Sequence, residues 1–162
     1  MKKIILGIDP GIADTGFGVI TVDEVNKIEC LEYGSIKTSS KLELPERLLI
    51  LFEELEKIIK KYKPEIVSVE ELFFNKNVST ALIVGQARGV VLLTAVKNGL
   101  PTKHYTPLQV KQAVSAYGKA DKIQVQKMVK LLLNLKEIPK PDDAADALAV
   151  AICASASLKF EI

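Results

Sequence analysis

The order of segments predicts an α/β fold: a mixed five-stranded sheet, made of an antiparallel meander plus parallel strands, flanked by helices. Three observations predict it. The first forty residues hold three short β-branched runs separated by turn residues, with no helical period. After them, helical and strand-like segments alternate. The chain has 162 residues, 48% hydrophobic and 26% charged, which fits a single domain over 1–162 with one sizeable core.

Residues 3–9 (KIILGID) read as a buried strand, short and β-branched. Gly11 and Gly16 are expected to bracket a turn, after which 17–22 (FGVITV) forms a second strand. Residues 28–38 alternate loosely and form a third. A long helix runs from Pro45 to Tyr62. Leu48, Leu51, Phe52, Leu55, Ile58, Ile59 and Tyr62 make its apolar stripe, and Pro64 ends it. Residues 65–70 (EIVSVE) give a fourth strand and 78–97 a second helix. A short fifth strand lies near 102–105. Thr106-Pro107 reads as an N-cap with proline at the first helical position. Asp121 with Gln124 is a capping box for the next helix. Pro139 and Pro141 precede a last, alanine-rich helix over 142–157.

No apolar run is expected to reach the ~18 residues that a bilayer span needs. The N-terminal apolar run ends at Asp9 and Pro10, too early for a signal peptide. These features lead to the expectation of a cytoplasmic protein without a membrane partner. Cys30 and Cys153 form no CxxC and are expected to be free thiols.

The net charge of +2 hides an asymmetry. Residues 1–75 carry 10 Lys/Arg and 14 Asp/Glu, whereas 76–140 carry 11 Lys/Arg against only Asp121 and Glu137. A basic block between acidic flanks suggests a polyanion-facing surface beside an acidic site.

Four acids stand out by position. Asp9 and Glu70 each end an apolar strand. Asp143 and Asp146 lie three apart on the last helix, so they share a face. Taken singly, each has an ordinary explanation as a turn former, a strand end or a helix-dipole partner. Asp146 fits those explanations least, because its neighbours Ala145, Ala147, Leu148 and Ala149 look buried. If both strand ends meet that helix turn, four carboxylates converge on an oxygen-rich site. Such a site suits Mg²⁺ or Mn²⁺ and not zinc.

The motifs that carry these acids are GIDPG at 7–11 with TGFGV at 15–19, VEELFFNKN at 69–77, ALIVGQARG at 81–89, QVKQ at 109–112 and DAADALA at 143–149. In this order and spacing they resemble the RuvC family of crossover-junction (Holliday-junction) endonucleases, across nearly the whole chain. The resemblance implies an RNase H-like fold and a homodimer that cuts four-way junction DNA symmetrically in recombination and repair. It implies Mg²⁺ (or Mn²⁺), with two ions per site, held by Asp9, Glu70, Asp143 and Asp146. It assigns Phe73 to bases at the junction and Lys111 and Lys122 to DNA. It also implies a branch-migration complex of the RuvA–RuvB type as partner. Lys76, Arg88 and Lys119, in the basic block, are further candidate DNA contacts. Ile12 departs from the serine common in the family.

Two features stay open in the sequence. Phe73 and Phe74 fit either a core plug or an exposed stacking aromatic. Gly85 and Gly89, four apart on one helix face, fit either close packing on the sheet or close approach of a partner helix. A different RNase H-like nuclease, acting on RNA–DNA hybrid or RNA, is the alternative activity. An actin-like ATPase, suggested by D-P-G-x-x-x-T-G, needs two large lobes, for which 162 residues are too few. A non-catalytic DNA-binding module would have no use for four carboxylates that repel phosphate.

Overall fold

Capping side chains set most of the helix starts. In the computed structural model, which describes residues 2–71 and 77–158, helix α1 (Leu44–Tyr62) opens with a reciprocal Glu43–Glu46 capping box. It closes at Lys63, in the left-handed region at φ 50°. Asn77 caps α2 (Val78–Lys97), accepting from the Thr80 N–H. Thr106 and Gln109 box the start of α3 (Pro107–Ser115), and Asp121 and Gln124 box that of α4 (Lys122–Leu132). The last helix, α5 (Asp142–Ser157), has no side-chain cap but carries Asp142 and Asp143 in its first turn, where carboxylates complement the helix dipole.

Five strands form one sheet: β1 (Lys2–Asp9), β2 (Asp14–Asp23), β3 (Ile28–Lys37), β4 (Ile66–Glu70) and β5 (Thr102–Tyr105). Their spatial order is β3-β2-β1-β4-β5. The first three pair antiparallel, and β1, β4 and β5 pair parallel, as expected for a mixed sheet. Helices α1 and α2 cover one face over Leu6, Ile8, Val19, Val67 and Val69. Helix α5, backed by α3 and α4, covers the other over Ile5, Ile20, Val22 and Ile66. The period of two along each strand assigns these faces. Cys30 and Cys153 are both free.

The second strand starts three residues earlier than the turn glycines suggest. Asp14, Thr15 and Gly16 pair with Lys37, Ile36 and Ser35, and Gly16 also faces Asp9 on β1. Gly16 is thus a ladder residue. Its missing side chain is required by helix packing, not by a turn.

A second correction concerns α2. It is 20 residues long with a mean hydropathy of 1.5 over its most apolar window, so one helix does have the length and composition of a bilayer span. Gly85, Gln86 and Arg88 fall inside this helix, and its average stays apolar despite them. In the fold, Ala87, Val91 and Ala95 of α2 are buried against the sheet and α1.

Candidate active site

Parallel pairing of β1 with β4 brings their C-terminal ends to the same edge of the sheet. Ile8 lies beside Val69, so Asp9 and Glu70 follow side by side on the face that α5 covers. The turn after Asp9 is braced. Buried Thr15 donates to the Gly11 carbonyl at 2.6 Å, and the Ser35 hydroxyl donates to Asp14 at 2.8 Å.

Helix α5 crosses this edge in near-direct contact with the sheet backbone. The floor beneath it is Gly7, Gly16 and Gly18, which pair as Gly7–Gly18 and Asp9–Gly16. A Cβ on Gly7 would sit 2.2 Å from the Ala147 carbonyl oxygen, and one on Gly16 would sit 1.9 Å from that of Asp143. On Gly18 it would meet Leu148 at 2.6 Å. The alanines of α5 complete the approach from above, since Ala144, Ala147 and Ala151 are fully buried. Small residues on both surfaces therefore lower the first turns of α5 onto the end of β1.

The result is a group of three carboxylates. One oxygen each from Asp9, Asp143 and Asp146 lies within 4.8 Å of the others. Burial, then the charges of Asp146, Asp143 and Glu70, push the Asp9 carboxyl up to about 8. Burial and Asp146 also raise Glu70, against the opposing pull of Lys111. Asp146 is raised by burial, with Lys122 opposing and the neighbouring aspartates adding to the shift. The group is overcharged for its burial, and a cation would relieve it. Oxygen-only donors without His or Cys fit a hard divalent cation.

Glu70 lies outside the tight group and lines the adjoining cleft of about 220 Å³ with Asp146, Lys111, Lys122, Pro107, Val110, Val125 and Ala149. The expected four-way convergence is thus a triad of aspartates with a glutamate beside it. Lys111 and Lys122 come into the same cleft from α3 and α4. The Lys122 ammonium lies 3.3 Å from Asp142 and 3.7 Å from Asp146. Burial lowers its pKa, but the charges of Asp146, Asp142 and Asp143 outweigh that and hold it above the ordinary lysine range.

The other expected contacts are scattered. Lys119 is exposed in the α3–α4 connection. Arg88 lies on the opposite face of the sheet, where its Nη2 donates to His104 Nδ1 at 2.7 Å. Burial and Arg88 both lower the His104 pKa. Phe73 and Lys76 lie outside the described residues. Sequence reasoning missed the glycine floor and the role of Asp142 as a partner of Lys122. The first had a signal: glycines at positions 16 and 18 alternate with the large residues Phe17 and Val19, which leaves one strand face bare.

A central strand with an antiparallel neighbour on one side and a parallel one on the other, crossed by a helix that adds carboxylates to its end, defines the RNase H-like nuclease class. The family model for crossover junction endodeoxyribonuclease RuvC matches residues 5–154. The chain belongs to the RuvC family. A RuvC from Ruminiclostridium cellulolyticum is 59% identical over 150 residues, covering 93% of this chain and 90% of the relative. One from Caldicellulosiruptor saccharolyticus is 57% identical over 149 residues, covering 92% and 90%. Among solved structures, Thermus thermophilus RuvC in complex with Holliday junction substrate superposes with a TM-score of 0.88 at 40% identity, covering 93% of this chain and 92% of that one.

Proposed function

We propose that this protein is a metal-dependent endonuclease that resolves four-way DNA junctions by paired, symmetric cleavage as a homodimer in the cytoplasm. The observation that carries the reading is the Asp9–Asp143–Asp146 group at the end of β1, in a chain whose relatives over nearly their whole length are crossover junction endodeoxyribonucleases.

Asp9, Asp143 and Asp146 would hold Mg²⁺ or Mn²⁺, with Glu70 contributing from the cleft side. Two such ions, when bound, would supply charge stabilisation for phosphodiester cleavage. The protein's own residues do the rest. The glycine floor keeps the aspartates in fixed relation, because positioning governs such catalysis. Lys111 and Lys122 face the cleft and offset the acidic charge that would otherwise repel a phosphate. Lys119 adds an exposed positive charge for the DNA arms; Lys76 is a further candidate DNA contact from the basic block, and Phe73, by resemblance to the family, acts on bases at the junction. Arg88, paired to His104 across the sheet, is the least favoured of the DNA contacts. A branch-migration complex of the RuvA–RuvB type is the expected partner in the cell.

The dimer reading rests on α2. Val78, Leu82, Leu93 and Val96 are 83%, 63%, 65% and 68% exposed and follow one face of the helix. Gly85 and Gly89 continue that stripe, and a Cβ on either would meet nothing within 4 Å. Within the chain these glycines gain no packing, though each costs the helix about 1 kcal/mol relative to alanine. Close approach of a second α2 across a two-fold axis gives them a purpose and covers the stripe.

The test is cleavage of a synthetic four-way junction, a matched linear duplex and an RNA–DNA hybrid, each with and without Mg²⁺. The expected result is paired incision of the junction that requires Mg²⁺ and is lost in Asp9→Asn. Equal cutting of the duplex, or preferential cutting of the hybrid, overturns the reading.

A further inference from the structure

Lys122 sits where a cation is least at home by local rules. It is the first residue of α4, at the positive end of the helix dipole. Its ammonium stays there because acids from α5 face it. The nearer is Asp142, whose Oδ2 is 3.3 Å away, and Asp146 is 3.7 Å away. The other oxygen of Asp142 is not free to rotate into that role at random. Oδ1 accepts from Gln126 Nε2 at 3.1 Å, and Gln126 is only 9% exposed, on the inner face of α4. Asp142 is thus oriented by a buried amide on one side and engages the ammonium on the other. It lies outside the metal-binding aspartate group, although it adjoins Asp143 in sequence.

The arrangement sets up a competition. A lysine ammonium and a divalent cation both seek the Asp146 carboxylate. An ammonium fully engaged by Asp146 would act as an internal counter-ion, and an entering metal would have to displace it. We propose that Asp142, oriented by Gln126, is a positioning residue that draws Lys122 off Asp146 and so keeps the aspartate group available to divalent metal. The inference rests on the metal-site reading above. It assigns Asp142 no contact with metal or substrate. Its effect passes through Lys122.

The experiment measures Mn²⁺ binding directly, by electron paramagnetic resonance of the free ion, in the wild type, Asp142→Asn, Lys122→Gln, the double variant, Gln126→Leu and Asp9→Asn. Asp142→Asn keeps the shape and removes the charge that holds the ammonium. It should weaken Mn²⁺ binding about five-fold or more, as expected when a unit charge shifts within a few ångströms of a partly solvated site. Gln126→Leu, which leaves every charge in place, should weaken it in the same direction by a smaller factor. In the Lys122→Gln background, Asp142→Asn should have little further effect, because the competitor is gone. The Mg²⁺ concentration giving half-maximal junction cleavage should rise in Asp142→Asn, while the rate at saturating Mg²⁺ stays near that of the wild type. A merely structural role would lower that saturating rate instead.

Equal Mn²⁺ affinity in the wild type and Asp142→Asn overturns the inference alone. So does a loss of the same size with and without Lys122, which would make Asp142 a simple long-range charge. Wild-type Mn²⁺ binding that is absent, or that survives Asp9→Asn unchanged, overturns the metal-site reading and this inference with it.

Discussion

Substituting Gly16 by alanine tests whether the bare strand face sets the geometry of the aspartate group. The added Cβ would fall 1.9 Å from the Asp143 carbonyl oxygen, 2.3 Å from its carbonyl carbon and 3.0 Å from the Ala144 nitrogen. All three are backbone atoms, so no rotamer change relieves the clash. Restoring even a 3.0 Å contact with that oxygen requires a shift of about 1.1 Å between β2 and the first turn of α5. That turn carries Asp143, and Asp146 follows within one further turn. Overpacking of this kind costs roughly 1–3 kcal/mol. At about 2–4 °C per kcal/mol for a chain of this size, the Tm should fall by roughly 2–12 °C. A misplacement near 1 Å costs on the order of 100-fold where catalysis depends on positioning. Activity should therefore fall far more than stability. The assay pairs thermal melts with single-turnover cleavage of a four-way junction, well below the variant's Tm. Gly34→Ala is the milder control, since its Cβ would meet a side chain and not backbone, the Phe17 ring at 3.1 Å, which has to give only slightly. If folded Gly16→Ala cleaves within three-fold of the wild type, the glycine floor does not place the carboxylates.

Three further outcomes follow from the same geometry. The Asp9 carboxyl is raised from its ordinary value to about 8, so the folded metal-free protein binds a proton that the unfolded chain releases above pH 4. Stability without metal should therefore decline as pH rises from about 4 to 8 and then level off, and Asp9→Asn should flatten that decline in melts recorded across the range. Lys111→Ala should weaken junction binding and lower the slope of log affinity against log salt by about 0.9, measured by fluorescence anisotropy. An unchanged slope would place the phosphate elsewhere. Leu93→Glu, at a position 65% exposed on α2, should convert a dimer to a monomer by light scattering and remove the concentration dependence of the melt. A variant that remains dimeric would move the interface off this helix.

Much of the site is legible in the sequence itself. Hydrophobic periodicity separates strands from helices because burial repeats every two residues in one and every 3.6 in the other. Capping signals such as Thr106-Pro107 and the Asp121–Gln124 pair are local, so they predict the helix starts seen in the structure. The acids at the ends of β1 and β4 and on the first turns of α5 stood out because each interrupts apolar sequence. Their convergence did not follow from spacing. It depends on the parallel pairing of β1 with β4 and on how closely α5 approaches β2, which are contacts between segments more than 50 residues apart. Gly16 shows the limit most clearly. By itself it reads as a turn residue, since conformational freedom is the local property of glycine. Only the tertiary structure shows that it is needed for its lack of volume beneath Asp143. The same holds for Lys122, which by sequence is one basic residue among many in a positive block. Its place between Asp142 and Asp146 was decided by the packing of α4 on α5, because Coulomb interactions depend on distance in space and not along the chain.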